Sequence, residues 1–168
     1  MNYAAIKEND IADGPGVRVS LFVSGCTHHC KGCFQPETWN FDYGKLFDET
    51  TEDELMKALE PDYKAGLTLL GGEPMESENA KRLLPFVKRV RETYPSKNVW
   101  CYSGYLFEEL LKRDECLKLL ELVDVLVDGV SGDAVHPRDI RDAEPVAPLL
   151  AYRINGGHVD HCLSRLSE

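Results

Sequence analysis

Three cysteines close together in the chain are the residues of this sequence best suited to chemistry. Cys26, Cys30 and Cys33 lie within eight positions, in the segment CTHHCKGC, and Gly25 and Gly32 allow the backbone to turn tightly around them. Three thiolates on one loop can hold a single metal centre. A [4Fe–4S] cluster has four irons, so three cysteine ligands would leave one iron open to a further ligand.

A structural zinc site is the alternative interpretation, with His28, His29 or another cysteine as the fourth ligand. Zinc-binding cysteines usually come as two C-x2-C pairs, and this sequence has no second pair. The other cysteines are scattered, at Cys101, Cys116 and Cys162. The first lies in a predicted strand and the second in a predicted helix, which is typical of core positions. The pattern therefore favours an iron–sulfur cluster over zinc.

A second candidate site, Gly71-Gly72-Glu73-Pro74, follows a short apolar run that we predict to be a buried strand. Two glycines at a strand end allow the backbone to approach a ligand closely. Exposed backbone carbonyl groups and a carboxylate are suited to binding an ammonium group. By itself the segment is also an ordinary turn at a strand end, and both readings stay open at this point.

The hydrophobic pattern places these sites at the ends of strands in an α/β fold. Apolar runs predict strands over 17–23, 67–70, 98–102 and 123–127. Helical spacing predicts helices over 51–60, 77–94 and 106–120. Strands that alternate with helices indicate a mainly parallel sheet, in which ligands bind at the carboxyl ends of the strands. Ser103-Gly104 and Asp128-Gly129 also follow strands, so we expect them at the same mouth as the cysteines.

Composition limits the class of protein. The chain has 168 residues, of which 43% are hydrophobic, and this is enough for one compact domain. Its formal net charge of −10 argues against a nucleic-acid-binding protein. No apolar run approaches the roughly 20 residues that a membrane helix needs. The polar N-terminal segment does not have the pattern of a signal peptide, so we expect a cytoplasmic protein.

The cysteine spacing and the residues around it resemble a known superfamily. C-x3-C-x2-C followed by an aromatic residue, here Phe34, is similar to the signature of the radical S-adenosylmethionine (SAM) enzymes. The longer stretch that begins DGPGVR at Asp13 resembles a narrower group, the activating enzymes of glycyl-radical enzymes. Within that group, the run LFVSGC…C..CF..ETW and the short chain resemble the branch that acts on anaerobic ribonucleoside-triphosphate reductase.

This resemblance implies a fold, two cofactors and a set of site residues. The implied fold is an open partial (β/α) barrel of radical SAM type with a mainly parallel sheet. The implied ligands of a [4Fe–4S] cluster are Cys26, Cys30 and Cys33. Its open iron would chelate SAM, and reductive cleavage would give methionine and a 5′-deoxyadenosyl radical. The residues expected near SAM are Phe34 beside the adenine, Gly71, Gly72, Glu73 and Pro74 beside the amino group, and Ser103, Gly104 and Asp128 at the following strand ends.

The resemblance also implies a partner. The radical would abstract hydrogen from a glycine of a separate, large glycyl-radical enzyme, which we expect to be anaerobic ribonucleotide reductase. An external reductant such as flavodoxin would supply the electron, and neither nucleic acid nor a membrane is expected to take part. One alternative is activation of a glycyl-radical enzyme of the formate-lyase type, although many such activating enzymes carry extra cysteine-rich inserts. The other alternative is a zinc-binding interaction module without catalysis.

The C-terminal segment 130–168 differs from the rest of the chain. We expect residues 1–168 to form a single radical SAM domain, in which this segment is atypical. The family pattern ends at Gly129, and Pro137, Pro145 and Pro148 make a long helix or strand unlikely to form before residue 149. Only the stretch 149–154 (LLAYRI) has the composition of a short strand.

Overall fold

The computed structural model describes residues 1–129, 150–155 and 158–162, and of the last two ranges only the backbone. The strands are β1 Asn2–Asp10, β2 Val17–Val23, β3 Lys45–Leu46, β4 Lys64–Gly71, β5 Asn98–Ser103, β6 Val125–Asp128, β7 Leu150–Asn155 and β8 His158–Cys162. The α-helices are α1 Glu49–Leu59, α2 Ser77–Thr93, α3 Phe107–Leu110 and α4 Asp114–Leu120, and a 3-10 helix covers Pro36–Trp39.

The eight strands form one sheet in the order β3-β1-β2-β4-β5-β6-β7-β8. Five adjacent strands, β2, β4, β5, β6 and β7, run parallel to one another. Strand β1 is antiparallel to β2 and β3, and β8 is antiparallel to β7. The predicted α/β class with a mainly parallel sheet is therefore confirmed. Parallel strands end at the same edge, so the segments that follow β2, β4, β5 and β6 share one side of the sheet.

Two predicted helices differ from those in the structure for local reasons. Helix α1 begins two residues early, because the Asp48 side chain caps it by accepting a hydrogen bond from Thr51 N (2.9 Å). The helix predicted over 106–120 is two helices, and the acidic pair Asp114-Glu115 starts the second, as expected for negative charge at a helix N-terminus. The strand expected within 149–154 is present as β7. The remaining expectation for segment 130–168 falls largely outside the described residues.

One face of the sheet packs against the helices. Alternate residues of β2 and β4 are fully buried there, among them Leu21 and Leu69. Helix α2 contributes its apolar stripe, including Leu83 and Phe86. Burying each such side chain contributes about 1.5–3 kcal/mol, so this layer supplies most of the driving force for the fold. No helix of the described residues is long and apolar enough to cross a membrane.

The opposite face of β2 carries a fully buried arginine, Arg18, whose hydrogen bonds within the described part of the chain go to neutral groups. Its Nε donates to Thr68 Oγ1 (2.6 Å), and its terminal nitrogens donate to Asn98 Oδ1 (2.7 Å) and Leu67 O (2.8 Å). The guanidinium also lies over the Trp100 ring. Burial lowers the pKa of Arg18 to about 10, so the side chain stays charged at neutral pH. One side chain therefore ties β2 to β4 and β5 at their amino ends.

Two buried carboxyl groups lie where β1 leads into β2: Asp10 ends β1 and pairs with Arg18, and Asp13 lies on the loop that follows. Burial, and then the neighbouring Asp10, raise the pKa of Asp13 to about 7. Burial also opposes the charge of Asp10, but hydrogen bonds from Asp13 and the Ala12 amide outweigh it and lower the pKa of Asp10. Lys7 Nζ lies 3.9 Å from Asp13 and 4.0 Å from Asp10. The pair therefore shares one proton below neutral pH.

We expect Asp13→Asn to stabilise the protein more at pH 8 than at pH 5.5. The folded pKa of Asp13 is raised, so the folded state holds a proton that the unfolded state releases near pH 4. Stability is therefore lost as the pH rises from about 4 to about 7. Asparagine imitates the protonated carboxyl and removes this loss. Only the part of this range between pH 5.5 and about 7 separates the two measurements, so the extra stabilisation at pH 8 should be about 2 kcal/mol in urea unfolding.

The matched control is Asp62→Asn, which removes one charge at an exposed position. It should change the free energy of unfolding equally at both pH values. An Asp13→Asn effect that is the same at pH 5.5 and pH 8 would contradict the shared proton.

Candidate functional site

The three cysteines lie on a loop that leaves the carboxyl end of β2, and residues 24–35 are called the cysteine loop below. Two backbone hydrogen bonds to the 3-10 helix hold the first turn of this loop. Gly25 N donates to Thr38 O (2.8 Å), and Cys26 N donates to Trp39 O (3.3 Å). Gly25 has a φ of +94°, and the Phe41 ring occupies the space that a side chain there would need. Glycine is therefore required at this position by both backbone conformation and space.

The three sequence-predicted cysteines all lie on this loop as free thiols. Cys26 is buried, whereas Cys30 and Cys33 are half-buried, and Cys33 N donates to Cys30 O (3.2 Å). Burial raises the pKa of Cys26 to about 11, and negative charge at Glu73 and Cys30 adds to the effect. Burial and the neighbouring Cys33 likewise raise the pKa of Cys30. Such thiols become thiolates only beside a strong positive charge, which a bound metal centre supplies.

The cysteine loop offers three thiols as donors, a donor set that an iron–sulfur cluster can bind. A zinc site needs four ligands about 2.0–2.3 Å from one point. Within residues 1–129 and the two short C-terminal ranges, no three histidine, cysteine or acidic side chains converge in that way. A four-iron cube binds its cysteines at separate corners, which suits three thiols spread along one loop.

Glu73 of the GGEP segment connects the cysteine loop to the end of β5. The carboxylate is only 1% exposed. Its Oε1 accepts from Ser103 Oγ (2.9 Å) and Met75 N (2.8 Å), and its Oε2 accepts from Gly104 N (2.7 Å) and His28 Nε2 (2.9 Å). The hydrogen bond to Glu73 raises the pKa of His28, which favours an imidazolium–carboxylate pair. Glu73 is therefore occupied by protein donors from three segments.

Gly72 allows the GGEP segment to lie directly against the cysteine loop. Gly72 N donates to Val23 O (2.8 Å), and Glu73 N donates to Gly25 O (2.9 Å). A Cβ at position 72 would lie 2.8 Å from Gly25 O and 3.1 Å from both Val23 O and Thr38 O. In the described residues, the close backbone approach that Gly72 permits is therefore between the GGEP segment and the cysteine loop with its neighbouring backbone.

The other sequence-predicted site residues lie at the same edge of the sheet. Ser103 and Gly104 end β5, and Asp128 ends β6 with its Oδ2 accepting from Phe107 N (2.5 Å). Pro74 is buried behind the GGEP turn. Phe34 differs from the rest, because its ring is 86% exposed beside the last cysteine. Its ring is therefore not packed into the core.

Sequence reasoning missed the residues that hold the cysteine loop from the side of α2. Asn79 Nδ2 donates to Ser24 O (2.9 Å) and Glu73 O (2.9 Å), and it is fully buried. Glu76 binds the loop through Thr27, as described below. The sequence held one signal for Asn79 and Glu76, because both are polar residues at the start of an amphipathic helix. Polar residues at such positions are usually exposed to solvent, and that was the simpler expectation.

Comparison with known proteins identifies the family. A model of the 4Fe–4S single cluster domain matches residues 12–141. The chain is 43% identical over 131 residues to the anaerobic ribonucleoside-triphosphate reductase-activating protein of Haemophilus influenzae, covering 77% of this chain and 83% of that protein. It is 42% identical over 129 residues to the protein of that name from Enterobacteria phage T4, covering 77% and 80%.

The homologue from Escherichia coli K12 has the same name and is 34% identical over 165 residues, covering 97% of this chain and 99% of that protein. An alignment of that length includes most of residues 130–168, whereas the two preceding alignments cover 77% of this chain, so the atypical character of this segment stays a prediction. The identity and coverage of these homologues agree with the match to the domain model. The chain therefore belongs to the family of anaerobic ribonucleoside-triphosphate reductase-activating proteins, with a 4Fe–4S single cluster domain.

Proposed function

We propose that this protein is a radical SAM enzyme that activates a large anaerobic ribonucleotide reductase by generating a glycyl radical on it. The observation that carries the proposal is the meeting of the cysteine loop, the GGEP segment and the end of β5 at one edge of a parallel sheet. The names of the homologues support the choice of partner. A reductase of this kind, rather than a formate-lyase type enzyme, also agrees with the absence of a further cysteine-rich segment from the sequence.

The proposed roles follow from where each group lies. Cys26, Cys30 and Cys33 would hold the [4Fe–4S] cluster and leave one iron for the amino and carboxylate groups of SAM. With both cofactors bound, the chemistry supplied is one-electron cleavage of SAM followed by hydrogen abstraction from a partner glycine. Phe34 is exposed beside the cluster ligands, so its ring face is accessible to stack on adenine.

The strand ends complete the proposed SAM site. Glu73 is held by protein donors, so we assign the binding of the SAM amino group to the backbone carbonyls of Gly71 and Gly72 rather than to this carboxylate. Pro74 fixes the turn, and Ser103, Gly104 and Asp128 form the rim next to it. The sheet would be the open partial barrel of radical SAM enzymes, since the face away from the helices carries buried polar residues such as Arg18 and Thr68.

The test combines the anaerobically purified protein with its reductase, SAM and a reductant such as flavodoxin. We expect methionine and 5′-deoxyadenosine, together with a glycine-centred radical seen as an EPR doublet on the reductase. The doublet should collapse when the reductase carries glycine deuterated at Cα, because the splitting comes from the remaining Cα hydrogen.

Each control excludes one alternative. Omitting the reductant should prevent SAM cleavage, since the reaction needs an external electron. A stable radical on this chain, or a doublet that deuterated glycine leaves unchanged, would contradict glycyl-radical activation. Purification with stoichiometric zinc and no iron would instead support a zinc-binding interaction module.

A further inference from the structure

Glu76, at the start of α2, holds the residue that follows the first cysteine. Its Oε1 accepts hydrogen bonds from Thr27 N (2.9 Å) and Thr27 Oγ1 (2.5 Å). The same oxygen accepts from Tyr105 Oη (3.1 Å), on the segment after β5. One carboxylate oxygen therefore joins the cysteine loop, α2 and the segment after β5.

The surroundings of Glu76 keep this oxygen in place. The residue is only 8% exposed. The Tyr105 ring packs against the His28 ring with centroids 4.3 Å apart, and the Arg113 guanidinium lies 4.0 Å from the centre of the Tyr105 ring. The negative charge of Glu76 is thus buried and acts on Cys26, and two cationic groups, His28 and Arg113, contact the ring of its hydrogen-bond donor Tyr105.

A buried charge at this position has two consequences for a cluster on the loop. The two hydrogen bonds from Thr27 to Glu76 fix Thr27, and through it the direction in which the Cys26 side chain leaves the backbone. The charge also makes it less favourable to add an electron nearby, because like charges repel strongly where water is excluded. Net charge and hydrogen bonding around an iron–sulfur cluster are known determinants of its reduction potential.

We propose that Glu76 is a positioning residue for the [4Fe–4S] cluster, which fixes the cysteine loop at Thr27 and lowers the reduction potential of the cluster with its charge. This role rests on the proposed function, since it requires a cluster bound at Cys26. It is separate from the role of Glu73, whose hydrogen bonds to His28 and Gly104 hold a different part of the site.

Two nearly isosteric variants separate the charge from the hydrogen bonds. Glu76→Gln retains an acceptor oxygen for Thr27 and removes the charge. Tyr105→Phe removes one hydrogen bond and retains both the charge and the ring. In an EPR-monitored redox titration, we expect Glu76→Gln to raise the ratio of reduced to oxidised cluster about tenfold at a fixed potential, which corresponds to about 59 mV for one electron. Tyr105→Phe should change this ratio less than Glu76→Gln.

A third variant tests the positioning. Glu76→Ala removes the acceptor as well as the charge, so the loop should adopt more than one arrangement at Thr27. We expect the EPR signal of its reduced cluster to broaden relative to Glu76→Gln, at equal iron content. Equal ratios in the wild type and Glu76→Gln would overturn the charge effect, and identical line widths in Glu76→Gln and Glu76→Ala would overturn the positioning.

The same experiment distinguishes this inference from the proposed function. Wild-type protein that assembles no cluster would overturn both. A cluster whose potential responds to Glu76 as expected, in a protein that does not cleave SAM, would overturn the proposed function alone. A protein that cleaves SAM with a potential insensitive to Glu76 would overturn only this inference.

Discussion

Cys30→Ala is expected to give a folded protein that assembles no [4Fe–4S] cluster. Cys30 is half-buried and its backbone carbonyl, not its thiol, makes the hydrogen bond to Cys33 N, so the side chain contributes little to the fold. Loss of one of three thiolates would leave two irons without a protein ligand. Anaerobic reconstitution should give about four irons and four sulfides per chain in the wild type and less than about one iron in the variant. Cys26→Ala and Cys33→Ala should behave in the same way.

Cys116→Ala is the matched control, because it removes a thiol of the same size from outside the loop. Cys116 is buried in α4, and its thiol donates to Met75 O (3.2 Å). Its loss should lower the free energy of unfolding by about 1 kcal/mol through the lost hydrogen bond. The iron content should not change. A variant series in which Cys116→Ala loses the cluster and Cys30→Ala keeps it would show that the ligand assignment is wrong.

Gly72→Ala is expected to reduce SAM cleavage by about tenfold or more, because the added methyl group displaces the cysteine loop. The new Cβ would be too close to three backbone oxygens, those of Gly25, Val23 and Thr38. Backbone atoms cannot rotate away as a side chain can, and overpacking of this kind costs about 1–3 kcal/mol. The iron content after reconstitution and the rate of 5′-deoxyadenosine formation are the measurements.

Gly32→Ala supplies the control within the loop itself. Its φ of +81° makes alanine unfavourable by about 1 kcal/mol, but a Cβ there would contact nothing within 4 Å. We therefore expect Gly32→Ala to retain the cluster and SAM cleavage at lower stability. If Gly72→Ala retained the cluster and SAM cleavage as fully as Gly32→Ala, the loop would not depend on its contact with the GGEP segment.

The parallel part of the sheet was predictable because each of its strands carries a strong local signal. β2 is rich in β-branched and apolar residues and ends at Ser24-Gly25, and the runs before Gly71 and Asp128 are almost wholly apolar. Such runs occur where both faces of a strand are buried. β1 gave no comparable signal, since its sequence NYAAIKEND is largely polar and half of it is exposed in the structure. It forms a strand by pairing with β2, which no local pattern reveals.

The proposed metal ligands were predictable for a similar reason, whereas the hydrogen bonds that hold their loop in place were not. The three cysteines are near in sequence, so their spacing indicates a common centre. Glu76 and Thr27 are 49 positions apart, and Ser103 and Glu73 are 30 apart. Hydrogen bonds across such separations depend on the order of strands in the sheet, and a single sequence does not reveal that order. For this reason Glu73 was expected to face a ligand, and in the structure it faces protein donors.

Hydrogen bonds from protein groups hold the cysteine loop, and this bears on exposure to air. Gly25 is held by Thr38, Thr27 by Glu76 and His28 by Glu73, each through groups that an oxidant such as molecular oxygen leaves intact. Oxidative loss of a cluster would therefore leave a pocket that keeps its shape. We then expect repair to require the delivery of iron and sulfide and the reduction of any disulfide or sulfenic acid formed by the cysteines back to thiols, without refolding of the chain.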